Sequence, residues 1–148
     1  MPGVCDVDPS EFVFELSKSL QKKSGIELPE FTTFCKTSHG KEHAPYRKDW
    51  FFVRMASMAR RLYTEQGMGV GHFTRIYGVG KRNGTRPKHH VDGSGSVSRK
   101  ALQLLGKLNI VEIDQVNGGR RLTAQGRKEL DAVANVLMNK MKAKKNKK

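Results

Sequence analysis

The chain has few of the residues that mark secreted, disulfide-linked or membrane-spanning proteins. Its 148 residues include two cysteines, Cys5 and Cys35, which are too few for a disulfide framework. No apolar run approaches the roughly 18 residues needed to cross a bilayer. The N-terminus also lacks the charged-then-apolar pattern of a secretory signal. These absences favour a reducing, intracellular compartment and give no support to a membrane partner.

Acidic residues are also scarce. The chain has 14 Asp and Glu against 28 Lys and Arg, a formal net charge of +14 with histidine counted as neutral. Residues 140–148 contain six lysines and no acid, and removing those six charges leaves +8 on residues 1–139. Because the excess charge is not confined to the C-terminal segment, we expect the body of the protein to bind a polyanion.

Motifs for catalysis and metal binding are missing. The sequence contains no G-x-S-x-G elbow, no phosphate-binding P-loop and no H-E-x-x-H pair. Cys35, His39 and His43 recur every four residues. Gly40 and Pro45 oppose the helix that would align them, and no second pair completes a tetrahedral zinc site. We therefore predict a protein that is not an enzyme and needs no metal or other cofactor.

A glycine-rich basic segment stands out between Gly67 and Gly95. It contains eight glycines and a single acid, Asp92. Without a Cβ, glycine lets the backbone lie close to a partner, and long cationic side chains match the irregular surface of a folded nucleic acid. The alternative interpretation is a charged surface loop without a ligand. Phe73 and Tyr77 in this segment fit one apolar side of a short helical turn better than a platform for unpaired bases.

Helical periodicity predicts two long helices in the first half of the chain. The first begins after Asp8, with Pro9 in its first position, and ends near Gly25. The second is expected to be capped by Asp49 and to run to about Gly67. Its apolar stripe includes Phe51, Met55, Met58 and Leu62, and its opposite face carries Arg54, Ser57, Arg60, Arg61 and Thr64. Only Glu65 lies near these arginines in the sequence, which favours phosphate binding over a merely solvated face.

The second half of the chain has the element order of a winged helix. A helix over residues 96–108, with Ser96 as its N-cap, precedes a strand at 110–114, a turn at 117–119 and a strand beginning at Arg120. Thr123 is expected to cap the last helix. In a winged helix, a recognition helix and the β-hairpin after it can both contact nucleic acid. Here Arg99 and Lys100 lie on the predicted recognition helix, and Arg120 and Arg121 lie on the predicted hairpin.

The predicted fold class is mainly α. We expect a winged-helix (helix-turn-helix-like) domain over residues 1–139, with a small β-hairpin wing and additional N-terminal helices. The lysine-rich residues 140–148 are predicted to be a disordered tail, because their charges repel and they have little apolar surface to bury.

Segments along nearly the whole chain resemble the small-ribosomal-subunit protein nineteen family of eukaryotes and archaea. They include Lys41-Glu42-His43-Ala44-Pro45-Tyr46, Arg54-Met55-Ala56-Ser57, Arg60-Arg61-Leu62-Tyr63, Ile76-Tyr77-Gly78, Ser98-Arg99-Lys100-Ala101 and Leu122-Thr123-Ala124-Gln125-Gly126. The resemblance implies a non-enzymatic protein bound to ribosomal RNA (rRNA) in the head of the small subunit. It also implies a part in pre-rRNA maturation, with neighbouring ribosomal proteins and assembly factors as partners. The implied location is the cytoplasmic ribosome, after nucleolar and nuclear passage.

The charge pattern and the resemblance together give a set of candidate rRNA-binding residues. All are cationic: Arg54, Arg60, Arg61, Arg75, Lys81, Arg82, Arg86, Lys88, Arg99, Lys100, Arg120 and Arg121. No membrane or small-molecule partner is expected. The alternative function is a winged-helix DNA-binding transcription regulator, which would normally present a dimerisation surface because half-site spacing mirrors two-fold symmetry.

Overall fold

The computed structural model describes residues 3–116 and 118–145, in which five α-helices accompany two antiparallel β-hairpins. Short 3₁₀ turns occupy Val4–Asp6 and Glu30–Thr33. The helices are α1 (Pro9–Lys22), α2 (Trp50–Thr64), α3 (Val70–Ile76), α4 (Gly95–Lys107) and α5 (Ala124–Lys145). The strands are β1 (Val79–Asn83), β2 (Arg86–Val91), β3 (Val111–Ile113) and β4 (Arg120–Leu122). This is a mainly α, winged-helix-like fold with additional N-terminal helices, as predicted.

Local sequence signals set the start of two helices. The Asp8 carboxylate accepts hydrogen bonds from the backbone N–H groups of Ser10 and Glu11, at 2.9 and 3.0 Å. These donors have no partner within the helix, so the carboxylate stabilises its first turn. The Thr123 hydroxyl oxygen likewise accepts from the backbone N–H of Gly126 at 2.9 Å. Both predicted caps are confirmed.

Helix α2 lies at the centre of the packing and contacts α1, α4 and β4. Its predicted apolar stripe is fully buried: Phe51, Met55, Met58 and Leu62. Phe12 and Leu20 of α1 are buried with it, as are Leu105 of α4 and Leu130 of α5. Because this burial fixes the rotation of α2, it also fixes the direction in which the arginines on the opposite face project.

The winged-helix part contains α4 and the hairpin β3–β4. Across the hairpin, Val111 pairs with Leu122 and Glu112 with Arg121. The predicted turn falls partly outside the described residues at 117, but Gly119 has a left-handed backbone, with φ of 80°. The predicted N-cap of α4 was wrong by two residues. Ser94 occupies that position, and its carbonyl accepts the N–H of Ser98.

The glycine-rich segment is not a loop. It forms α3 and then the hairpin β1–β2, which turns at Gly84, where φ is 69°. Most residues of β2 are exposed, so no alternation of buried and exposed residues marked this strand in the sequence. The predicted helical turn at Phe73 is confirmed, since Phe73 is buried and its ring stacks on that of Tyr77 at an interplanar angle of 12°.

The last helix continues to Lys145, so residues 140–145 are helical where the sequence predicts a disordered tail. Residues 146–148 lie outside the described part. The buried residues Leu130, Ala134 and Leu137 hold α5 against the core, and the Met, Lys and Ala that follow are good helix formers. Lys140 also donates a hydrogen bond to Glu15 of α1 at 3.1 Å, which lowers the pKa of that carboxyl group.

Candidate nucleic-acid interface

A wide groove of about 1150 Å³ lies between the polar face of α2, strand β1 and the loop over residues 36–47. We call it the basic groove. Its Lys and Arg residues are Lys36, Lys41, Arg47, Arg54, Lys81 and Arg82. Glu42 is the one acidic residue among the described lining residues. Such an excess of cations at a concave surface attracts a polyanion.

Long-range hydrogen bonds hold the loop in place as one wall of the basic groove. The Ser38 hydroxyl donates to the carbonyl of Asp92 at 2.8 Å, and the carbonyl of Thr37 accepts the N–H of Ser94 at 2.8 Å. Gly40 lies so close to Val79 that an added Cβ would be 2.9 Å from the valine side chain. The loop is therefore fastened both to β1–β2 and to the start of α4.

Arg54 and Tyr77 form the inner part of the basic groove. The Arg54 guanidinium lies over the Tyr77 ring, 3.7 Å from its centroid, and the Tyr77 and Ser57 hydroxyls share a hydrogen bond of 2.7 Å. Burial lowers the pKa of Arg54 and raises that of Tyr77. An arginine nevertheless stays protonated in proteins. Arg54 makes no ion pair with any acid in residues 3–116 and 118–145. This arrangement leaves a half-buried, unneutralised cation with donors for an anion.

The other arginines on the polar face of α2 differ in their surroundings. Arg61 is exposed and close enough to Tyr77 to lower the pKa of its hydroxyl, against the larger effect of burial. Arg60 is half-buried, and its Nε is enclosed without a hydrogen-bond acceptor in the described part of the chain. Neither Arg60 nor Arg61 lines the basic groove.

The remaining candidates of the glycine-rich segment divide between the basic groove and open surface. Lys81 and Arg82 of β1 line the groove. Arg75 of α3, and Arg86 and Lys88 of β2, are exposed outside it. Since β2 pairs with β1, its cations extend the charged surface along the same hairpin.

The candidates on α4 and the wing do not line the basic groove. Arg99 and Lys100 are exposed in the first half of α4. Arg120 lines a smaller apolar cavity of about 470 Å³ between α4 and the wing, together with Leu102 and Ile113. Arg121 is engaged by Glu112, with 2.6 Å between Nε and Oε1. The structure therefore brings three of the twelve candidate residues into the basic groove, Arg54, Lys81 and Arg82, and leaves the other nine outside its lining.

Sequence analysis missed the cations of the loop wall, Lys36, Lys41 and Arg47. Their charge was visible in the sequence, but only the hydrogen bonds from the loop to Asp92 and Ser94 place them opposite α2.

Arg47 also explains why the predicted N-cap of α2, Asp49, was wrong in one detail. Its guanidinium binds the Asp49 carboxylate, with 2.9 Å between Nε and Oδ1, which lowers the pKa of Asp49. Asp49 therefore precedes α2 as predicted, but its side chain caps no helical N–H.

Neither a metal cluster nor a membrane span is present in the described residues. Within 3–116 and 118–145, no group of three His, Cys, Asp or Glu side chains is arranged to hold a metal ion. No helix in the same part of the chain combines the length and apolar character needed to cross a bilayer. The basic groove, at about 1150 Å³, is larger than the cavity of about 470 Å³ beside the wing, and cations predominate among its charged lining residues.

Comparisons with known proteins agree with the resemblance noted in the sequence. The sequence model of the family described as ribosomal protein S19e matches residues 3–140. The small ribosomal subunit protein eS19 of Oryza sativa subsp. japonica is 48% identical over 131 residues, covering 88% of this chain and 89% of that protein. The protein of the same name from Argopecten irradians is 46% identical over 142 residues, covering 96% and 98%. The chain therefore belongs to the ribosomal protein S19e family, whose members are structural ribosomal components and not enzymes.

Proposed function

We propose that this protein is a constituent of the small ribosomal subunit and binds rRNA in the head of that subunit. One observation carries the proposal. Of the twelve predicted rRNA-binding residues, Arg121 alone forms an ion pair with an acid within residues 3–116 and 118–145. The other eleven have no acidic partner in that part of the chain, so their charges are not neutralised within it. Two relatives support the same assignment. Both are named as small ribosomal subunit proteins, and the match to this chain covers 89% and 98% of their lengths.

Lys and Arg residues without an acidic partner can bind the phosphate groups of RNA. Each Lys or Arg that meets a phosphate releases a condensed counterion, and this release drives much of the binding. Structured RNA presents mainly phosphates and 2′-hydroxyls, because its deep major groove is hard to enter. This protein is therefore suited to contact a folded RNA at several points, because it carries cations on α2, α3, the β1–β2 hairpin and α4.

The same proposal includes the biogenesis of the subunit. Binding in the head makes neighbouring ribosomal proteins and assembly factors partners, and we infer a need for the protein in maturing the small-subunit pre-rRNA. Such a role requires passage through the nucleolus before the protein acts on the cytoplasmic ribosome.

A DNA-binding regulator is the second candidate, because α4 exposes Arg99 and Lys100 beside a β-hairpin wing. Two features of the charge distribution favour RNA. The wing arginine Arg121 is already paired with Glu112. The basic groove is lined by residues of α2, β1 and the loop 36–47, and by none of α4, the helix that would enter a DNA groove.

Charge reversal on α4 tests the proposed function. We expect Arg99→Glu combined with Lys100→Glu to weaken binding to a head-domain rRNA fragment by about tenfold or more, because two phosphate contacts become repulsive. Both residues are exposed, so the melting temperature should be unchanged. Filter binding at fixed salt measures the effect.

Arg121→Gln is the matched control, because this arginine is already neutralised by Glu112 and should lose little affinity. If wild-type protein bound duplex DNA as tightly as the rRNA fragment, or if the double variant bound rRNA normally, the proposed function would be contradicted.

A further inference from the structure

We propose that the basic groove holds a short single-stranded stretch of RNA, with a phosphate on Arg54 and an unpaired base on Tyr46. The inference rests on the proposed function, and it names the kind of RNA segment that this part of the surface takes. It concerns residues of α2, β1 and the loop 36–47, which do not include Arg99 and Lys100 of α4.

Arg54 has the surroundings of a phosphate receptor. Its planar guanidinium lies over the Tyr77 ring, 3.7 Å from the ring centroid. The Tyr77 hydroxyl in turn shares a hydrogen bond with the Ser57 hydroxyl, which holds the ring in place. Stacking of this kind restricts the side chain before any ligand arrives, so less entropy is lost on binding. No hydrogen bond or ion pair within the described residues uses the guanidinium donors. A phosphate can accept two of them at once, as a fork.

The charges around Arg54 favour a ligand with several negative groups. Lys36, Lys41, Lys81 and Arg82 line the basic groove without an acidic partner among the described residues. Arg47 is balanced by Asp49, and Glu42 supplies one opposing charge. Successive phosphates of one RNA strand would pair with the cations of the loop wall and with those of α2 and β1.

The apolar part of the basic groove favours bases as well as phosphates. Val53, Val79 and Trp50 contribute apolar surface to its lining. Tyr46 lies on the loop wall and is 92% exposed, which is unusual for a large aromatic side chain. Exposed aromatic rings in cationic grooves are the common platform for unpaired bases.

The size of the basic groove favours a single strand over a duplex. Its volume of about 1150 Å³ is of the order of pockets that hold drug-sized ligands, about 300–1,000 Å³, so it suits a short segment of a strand. A duplex keeps its bases stacked inside and could not place one on Tyr46. An acidic peptide would satisfy the cations but would make no use of the aromatic ring.

Fluorescence anisotropy on the full chain tests the inference. The probes are a labelled single-stranded RNA oligonucleotide, a hairpin duplex of the same length and an acidic peptide. We expect the single strand to bind at least tenfold more tightly than the duplex or the peptide at equal salt. Tyr46→Ala should weaken single-strand binding by about fivefold to 150-fold, because one base loses its stacking partner.

Phe34→Ala is the matched control, because Phe34 is 71% exposed yet does not line the basic groove. It should leave binding unchanged. Arg54→Lys should weaken binding while keeping the charge, since lysine lacks the planar fork. Its fold is checked by circular dichroism. If the Arg54→Lys variant fails to fold, the Tyr46→Ala variant alone tests the inference, because the exposed Tyr46 ring contributes little to the packing of the protein.

Three results would overturn the inference: equal binding by the Tyr46→Ala and Phe34→Ala variants, equal affinity for strand and duplex, or tighter binding of the peptide. These results are distinguishable from failure of the proposed function. If Tyr46→Ala has no effect while the Arg99 and Lys100 reversal still weakens rRNA binding, the protein binds rRNA without using the groove in this way. If the wild type binds no head-domain rRNA, the proposed function itself fails.

Discussion

The affinity of the protein for head-domain rRNA is expected to fall by about 10³-fold or more between roughly 50 and 200 mM salt. This size of effect corresponds to six or more phosphate contacts, and the chain has eleven candidate cations without an acidic partner in its described part. Binding titrations at four or five salt concentrations give the slope of log K against log salt. A shallow slope of about −2 or less in magnitude would mean that most of these cations meet no phosphate.

Neutral substitutions locate the contacts that contribute to this slope. Replacing Arg99 and Lys100 by glutamine should reduce its magnitude by about 1 to 2, one released counterion for each lost contact. Arg121→Gln should leave it unchanged, because the Glu112 carboxylate already neutralises that arginine. Equal slopes for both variants would show that the ion pair with Glu112 does not distinguish Arg121 from the exposed cations of α4.

Gly126→Ala is expected to lower the free energy of unfolding by about 1–3 kcal/mol or more. Gly126 lies buried in the first turn of α5, and an added Cβ would overlap the carbonyl oxygen of Ile110. That oxygen also accepts the N–H of Thr123, so the backbone there cannot move freely. The substitution should push α5 away from the chain that leads into β3. Urea denaturation measures the loss.

Gly71→Ala is the matched control for this prediction. Gly71 lies in α3, is exposed, and has open space where its Cβ would be. Alanine is a better helix former than glycine, so this variant should gain about 0.5–1 kcal/mol. The two substitutions are chemically identical and should have opposite signs. Equal destabilisation by both would contradict the close approach of α5 to Ile110.

Sequence analysis predicted the parts of the fold that depend on local signals. The capping residues Asp8 and Thr123 act within their own first turns, and the stripe from Phe51 to Leu62 follows helical spacing, so neighbouring residues suffice to reveal them. The hairpin β1–β2 escaped prediction because β2 buries almost nothing, and its pairing with β1 depends on backbone hydrogen bonds. Hydrophobic periodicity carries no signal for such a strand.

Part of the candidate site could also be predicted from the sequence, and part of it could not. Charge and the helical wheel identified Arg54, and the glycine-rich context identified Lys81 and Arg82. The cations of the loop wall join them through hydrogen bonds such as that from Ser38 to Asp92, between residues 54 positions apart. No spacing rule covers a contact of that range. The stacking of Arg54 on Tyr77 is likewise a tertiary contact, between α2 and the end of α3.

Sedimentation with small ribosomal subunits tests the central claim most directly. Labelled protein, produced in cells and carried through a gradient in salt that removes loosely bound proteins, should migrate with the small subunit. The Arg99→Glu and Lys100→Glu double variant should remain largely near the top of the gradient, although it folds normally. Recovery of the wild type at the top of the gradient, or with DNA and without subunits, would contradict the claim that its unpaired cations bind rRNA.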